Sequence, residues 1–231
     1  MDKAEFDKFA EEYRAMHVAN IGASGETPEY FAEYKVRDVA QLVAKHEPVV
    51  SRILDFGAGI GSSVPYFCQY FPAADLTCVD VSDKSLAIGA ARFPGNARFE
   101  AFDGRRLPFP DNVFDLAFAA CVFHHIPHAE HIDLLQELRR VLTPRGRLIV
   151  FEHNPFNPLT VQAVNTCPFD ENARLIRAHT MRYHFVAAGF RDLKVRYRIF
   201  FPRALRILRP LETLLGWLPL GAQYYVAARK H

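Results

Sequence analysis

The chain has 231 residues, half of them hydrophobic and 23% charged, enough apolar material for one α/β domain with a full core and too much for disorder. A net charge of +2 argues against nucleic acid as the main partner, because phosphate backbones meet a concentrated basic face. The four cysteines, Cys68, Cys78, Cys121 and Cys167, show neither a Cys-x-x-Cys pair nor a zinc-like spacing with histidine, so a reducing cytoplasm and no metal centre are expected.

The N-terminus lacks the apolar stretch of a signal peptide, and no apolar run reaches the roughly 18 residues of a membrane span. Phe6, Phe9, Ala10 and Tyr13 recur at helical spacing. A flexible link over 20–25 follows, and Thr27-Pro28, an N-cap with proline at the first helical position, opens a second helix running towards His46.

From residue 52 the pattern alternates. Strands are predicted over 52–56, 76–80, 97–102, 113–120 and 147–152, with helices over 62–70, 84–93 and 130–142 between them. Strands joined through helices imply a parallel sheet with right-handed crossovers. Beyond it, 179–188 reads as helix, and 193–201 and 222–229 as strands. Residues 203–218 form an amphipathic segment with Arg203, Arg206 and Arg209 beside leucines and Trp217, which suits peripheral membrane contact, a lid or a dimer contact. The organisation is one domain over 1–231: cap helices (1–48), a ligand-binding core (49–153) and an acceptor-side region ending in a strand (154–231).

The chemistry gathers at the carboxyl ends of the strands, where ligands bind in open α/β sheets. The loop Asp55-Phe56-Gly57-Ala58-Gly59-Ile60-Gly61 follows the first strand. Its glycines permit a tight turn and let a ligand reach the backbone, and the next helix opens with unpaired N–H groups. The dinucleotide spacing would need glycine at 62, where Ser62 stands. Asp80 closes the second strand, placed to accept from ribose hydroxyls, and Val81 gives adenine an apolar face; Asp103-Gly104 follow the third strand, placed to meet the adenine edge.

These stretches, DFGAGIG (55–61), LTCVD (76–80), AFDGRRLPFPDNVFDLAF (101–118) and LTPRGRLIVFEH (142–153), resemble the class I S-adenosylmethionine (AdoMet)-dependent methyltransferases of the small-molecule type. The resemblance covers roughly residues 52–152. It implies a Rossmann-like sheet of seven strands with the last antiparallel, and AdoMet as cofactor with S-adenosylhomocysteine as product. It also implies Gly57 and Gly59 beside the methionine moiety, Asp80 on the ribose and Asp103 on the adenine. Asp55, Ala58 and Cys121 join that list at the strand ends. Lys35, on the cap helix, could pair with the methionine carboxylate, and Tyr30 or Tyr34 could line the transfer channel.

His125, His124 and His153 follow the fourth and fifth strands, at the rim where an acceptor meets the methyl group, and are the candidate general bases for an oxygen or nitrogen nucleophile. Asn154-Pro155-Phe156 follows the fifth strand rather than the fourth, so it is not the amine-methylating signature; 153–160 is expected to wall the acceptor pocket. Asp115 is expected to serve packing or a turn. The acceptor is expected to be small and partly apolar, and the protein monomeric or homodimeric. An oxidoreductase with a nucleotide cofactor and a non-catalytic AdoMet-binding regulator are the rival readings.

Overall fold

The computed structural model describes residues 21–44 and 49–231. The helix expected around Phe6–Tyr13 and the end of the cap helix near His46 lie outside the described residues. The expected flexible link instead contains a short 3₁₀ turn at Gly22–Ser24, where the Ser24 hydroxyl donates to the Ile21 carbonyl at 2.6 Å. The cap helix α1 is Pro28–Ala44, and the Thr27 hydroxyl accepts from the Tyr30 N–H at 3.3 Å.

Seven strands form one sheet: β1 (Arg52–Phe56), β2 (Asp75–Asp80), β3 (Arg98–Ala101), β4 (Phe114–Ala120), β5 (Leu142–His153), β6 (Arg191–Arg198) and β7 (Gln223–Arg229). Their order is β3-β2-β1-β4-β5-β7-β6, with β7 antiparallel to both neighbours and the other pairs parallel. The seven-stranded mixed sheet with an antiparallel last strand is therefore as expected. Helices α2 (Val64–Tyr70), α3 (Asp83–Arg92) and α4 (His131–Val141) follow β1, β2 and β4.

Side-chain alternation along the central strands builds two cores. Leu54, Phe56, Val79, Ala117, Leu148 and Val150 face one way and pack with Leu135 and Leu138 of α4 and Phe185 of α6 (Ala178–Ala187). Ile53, Leu116, Phe118, Ile149 and Phe151 face the other way and pack with Val36, Val39 and Val43 of α1 and Phe67 of α2. Asp115 is the predicted structural residue: its Oδ2 accepts from the Ser51 and Arg52 N–H groups at 2.9 and 3.0 Å.

Three expectations change. Strand β5 begins at Leu142 rather than 147, with a register shift against β4 between Phe114 and Leu116. A helix α5, Pro158–Thr166, stands where only a pocket wall was foreseen, capped by Asn157 Oδ1 accepting from Thr160 N at 3.0 Å. The 203–218 segment is not one helix but a 3₁₀ run Arg203–Leu211 with a kink at Leu205, then the short α7 Glu212–Leu215. Ile207, Leu214 and Trp217 are exposed on it. No helix among the described residues is long and apolar enough to cross a membrane.

Candidate active site

The first turn after β1 is built on glycines in the left-handed region: Gly57 (φ 72°), Gly59 (φ 53°) and Gly61 (φ 75°). Gly57 and Ala58 donate their N–H groups to the Val79 carbonyl at 2.8 and 3.0 Å, which ties the loop to β2. Asp80 completes the tie: Oδ2 accepts from Gly59 N at 2.8 Å and Oδ1 from Ser82 N at 2.9 Å. A Cβ on Gly57 would strike Val122 Cγ2 at 2.5 Å, whereas one on Gly59 would meet nothing within 4 Å. Gly57 thus serves close packing, and Gly59 presents bare backbone to open space.

That space is a cavity of about 130 Å³, lined by Asp55, Gly57, Ala58, Gly59, Asp80, Cys121 and Lys35 among others. Asp55 Oδ2 is buried with no hydrogen-bond partner. Burial first, and the neighbouring Asp80 carboxylate second, push the Asp55 carboxyl up to about 7 against the opposing pull of Lys35. An orphaned carboxyl oxygen, a bare glycine backbone and the Lys35 ammonium suit a ligand carrying both an ammonium and a carboxylate, as the methionine end of AdoMet does.

Several predicted contacts are not brought into this cavity. Val81 is buried in the core, and neither it nor Asp103 nor Gly104 lines the cavity. Asp103 is exposed; its Oδ1 accepts from Arg106 N and Arg105 N at 2.7 and 2.8 Å, and these bonds hold its carboxyl below the usual range. Tyr30 sits under the Arg209 guanidinium, 4.7 Å from its ring centroid, and Tyr34 is buried with its hydroxyl donating to Gln223 Oε1, so neither lines the cavity. Both side chains brace α1 against the C-terminal region, a role that helical spacing alone does not separate from ligand contact.

A second cavity of about 220 Å³ adjoins the first. Phe31, Lys35, Ala120, Cys121, His125 and Phe169 line both. Its far wall is largely apolar, with Ile21, Leu159, Ala163, Val164, Ile199 and Phe200. His153, Asn157 and Thr160 line it as the predicted wall, while Asn154 is instead a brace, its Nδ2 donating to the Pro219 and Gly221 carbonyls at 3.1 and 2.7 Å. Cys121, at the junction, is a non-glycine residue in the left-handed region (φ 59°), with Lys35 Nζ 3.6 Å from its sulfur.

The polar end of the second cavity gathers the three candidate histidines around two carboxylates the sequence did not single out. Glu152, at the end of β5 and fully buried, accepts from Val122 N and Phe123 N at 3.1 and 2.8 Å and lies 2.6 Å from His124 Nδ1. Asp170, in the 3₁₀ turn Pro168–Asp170, lies 3.7 Å from His124 Nε2 and 3.4 Å from His125 Nε2. Burial opposes charge on His124, yet Glu152 and Asp170 outweigh it and raise the imidazole to about 10. Held as an imidazolium between two carboxylates, His124 is less suited to accept a proton than its two neighbours. His153 falls to about 4 through burial and the His124 charge. Gln223, oriented by Tyr34, turns its Nε2 towards His153 Nδ1 at 3.4 Å, which leaves the His153 proton on Nε2 as a donor. Burial, then the His124 charge, also lower His125, and Asp170 beside its Nε2 sets Nδ1 as its basic nitrogen.

His124, His125 and Asp170 place one possible ligand atom each within 4.8 Å of one another. Asp170 completes the group from 45 residues further along the chain than His125, a separation no local spacing could signal. All four cysteines are free.

Known proteins share this fold. Residues 54–150 match the methyltransferase domain family. The ubiquinone/menaquinone biosynthesis C-methyltransferase UbiE of Ectopseudomonas mendocina is 32% identical over 151 residues, covering 61% of this chain and 58% of that protein. The chain thus spans 58% of the length of that relative. A SAM-dependent methyltransferase of Thermotoga maritima superposes with a TM-score of 0.68 at 19% identity, over 99% of each chain. Phosphoethanolamine N-methyltransferase 2 of Haemonchus contortus, solved with S-adenosyl-L-methionine, superposes with a TM-score of 0.67 at 17% identity, over 97% of this chain and 60% of that one. Sheet order and family match converge on a methyltransferase domain over residues 54–150, within the fold that the solved S-adenosylmethionine-dependent methyltransferases share.

Proposed function

We propose that this chain moves the methyl group of AdoMet to a small, partly apolar acceptor bearing an ionisable hydroxyl. The observation that carries this is the junction of the two cavities, where six residues line both a polar, glycine-floored chamber and an apolar one. Bound AdoMet supplies an electrophilic methyl. Asp55 and Lys35 hold the ends of its methionine moiety, Gly59 lets the ligand lie against backbone, and Asp80 accepts from the ribose. The Phe31 and Phe169 side chains at the junction exclude water and fix the approach of the acceptor, and orientation of this kind supplies roughly 7–11 kcal/mol of the barrier.

His125, oriented through Nε2 by Asp170, takes the acceptor proton at Nδ1 as the methyl is transferred. Removing the proton of a phenol or enol makes its oxygen and its conjugated carbon nucleophilic together. The C-methyltransferases among the relatives favour carbon as the methylated atom. The dinucleotide oxidoreductase reading loses its support, because Ser62 breaks the fingerprint and the family match is to methyltransferases.

Labelled AdoMet offered with a panel of phenolic and enolic compounds tests this, with the product identified by NMR. The expected result is labelled C-methyl product, and a 10²–10⁴-fold loss of turnover in His125→Gln with AdoMet affinity kept. Product methylated on oxygen would correct the acceptor atom alone. No transfer to any acceptor despite AdoMet binding would favour the non-catalytic regulator, and full turnover in His125→Gln would remove the base.

A further inference from the structure

We propose that His124, His125 and Asp170 form a binding site for a divalent first-row transition ion, of the zinc type, in the polar wall of the acceptor cavity. The ligands are two imidazole nitrogens and one carboxylate oxygen, with a further position open to the cavity. That is the donor set and open coordination of a catalytic rather than a structural metal site.

Distances support it first. In a tetrahedral site with metal–ligand bonds of about 2.1 Å, neighbouring ligand atoms stand about 3.4 Å apart. Asp170 Oδ1 lies 3.4 Å from His125 Nε2 and 3.7 Å from His124 Nε2, and the three residues each offer a ligand atom within 4.8 Å of the other two, so an ion would be held once the ligands close in by about an ångström or less. The second support is Glu152. It sits 2.6 Å from His124 Nδ1, on the side of the ring away from Asp170, in the carboxylate–histidine arrangement that orients metal-bound imidazoles. Glu152 is itself fixed by the Val122 and Phe123 N–H groups.

The third support is rigidity. The two turns that carry the ligands are linked, with Arg174 N donating to the His124 carbonyl at 2.7 Å. Buried His131 holds the first turn from beneath through Nε2, donating to the Phe123 and Ile126 carbonyls at 3.0 and 2.9 Å. Charge is the fourth. A buried and a partly buried carboxylate, Glu152 and Asp170, flank one imidazole, and a dication satisfies both more completely than the proton it would displace. On binding, the ion takes the place of the Nε2 proton of the His124 imidazolium, which passes to solvent, and neutral His125 shifts its proton from Nε2 to Nδ1 so that Nε2 can ligate. The open position then faces the acceptor, where an ion would draw the proton from a bound hydroxyl in place of the His125 base. This last role rests on the acceptor-cavity reading, but the ion site itself does not.

The test is therefore made without AdoMet or acceptor. The full chain, stripped of metal and free of any histidine tag, is titrated with Zn²⁺ by calorimetry and with Co²⁺ by visible absorbance, with Mg²⁺ as the control ion. Expected are one Zn²⁺ per chain, no Mg²⁺ binding, and the intense d–d absorption of four-coordinate Co²⁺ with shifted imidazole NMR signals. His125→Gln and Asp170→Asn should each weaken Zn²⁺ at least tenfold. Glu152→Gln, which touches no ion, should weaken it about 10–100-fold by releasing His124. His179→Gln, at an exposed histidine outside the cluster, should leave it unchanged. Absence of the Co²⁺ spectrum in the wild-type protein overturns the proposal whether or not the variants fold. Equal affinity in the Asp170→Asn and His125→Gln chains also overturns it and leaves the cluster an ion-pair network only.

Discussion

Two glycines two residues apart divide the labour of the loop. Gly57 has no room for a side chain, because Val122 stands 2.5 Å from where a Cβ would lie, and Gly57→Ala should cost about 1–3 kcal/mol by overpacking. Gly59 has open space there, so Gly59→Val should fold, with some strain from its positive φ, and lose AdoMet affinity because the branched side chain enters the chamber. Thermal melts and calorimetry on both variants check this; normal AdoMet binding by Gly59→Val would reduce the loop to a turn. Asp55 adds a pH dependence. Its carboxyl keeps a proton to about 7 in the ligand-free protein, and a cationic ligand favours the carboxylate, so AdoMet affinity should climb as pH rises through 7. The same upward shift gives the ligand-free fold a stability that is complete below the ordinary aspartate range and lost as pH rises through 7. Asp55→Asn should flatten both profiles, and an affinity that still climbs in that variant would assign the titration elsewhere.

Among the elements, α1 has the most to do, since Phe31 and Lys35 reach both cavities from it. It is moored by apolar packing and by the partly buried ion pair of Asp38 with Arg198 of β6, whose Nη2 donates to Asp38 Oδ1 at 2.9 Å. Asp38→Ala removes the partner of a partly exposed guanidinium and should cost about 1–3 kcal/mol, with weaker AdoMet binding as Lys35 loses its placement. Unaltered cofactor affinity in a destabilised Asp38→Ala protein would show that Val36, Val39 and Val43 hold the helix on their own. The elements themselves were largely readable in the sequence, because alternating burial and helix caps are local. Helix α5 carried a local sign as well, Asn157 before Pro158, which the reading of 153–160 as a wall passed over. In the 203–218 stretch the leucine and arginine spacing is helical, while Pro210 and the kink at Leu205 break it.

At the scale of the molecule, the seven strands and the antiparallel last strand followed from the resemblance, and the glycine loop, Asp80 and Lys35 line one cavity. The histidine cluster did not, since its meaning lies in Glu152, Asp170 and Gln223, which reach His124, His125 and His153 from distant parts of the chain. A histidine's position can be read from sequence, but its charge is set by neighbours that only the fold supplies. The insertion of β7 between β5 and β6 carries this dependence into biosynthesis. While the ribosome is still making residues 1–222, β6 has no neighbour to pair with and β5 shows a bare apolar edge. Gln223 is the first residue of the strand that closes that gap and also the clasp between Tyr34 and His153, so a nascent chain joins its sheet and finishes its acceptor cavity in the same step. A chain stalled before that strand would hold its cofactor loop already made beside an unfinished chamber, and quality-control factors would meet it as an exposed strand edge.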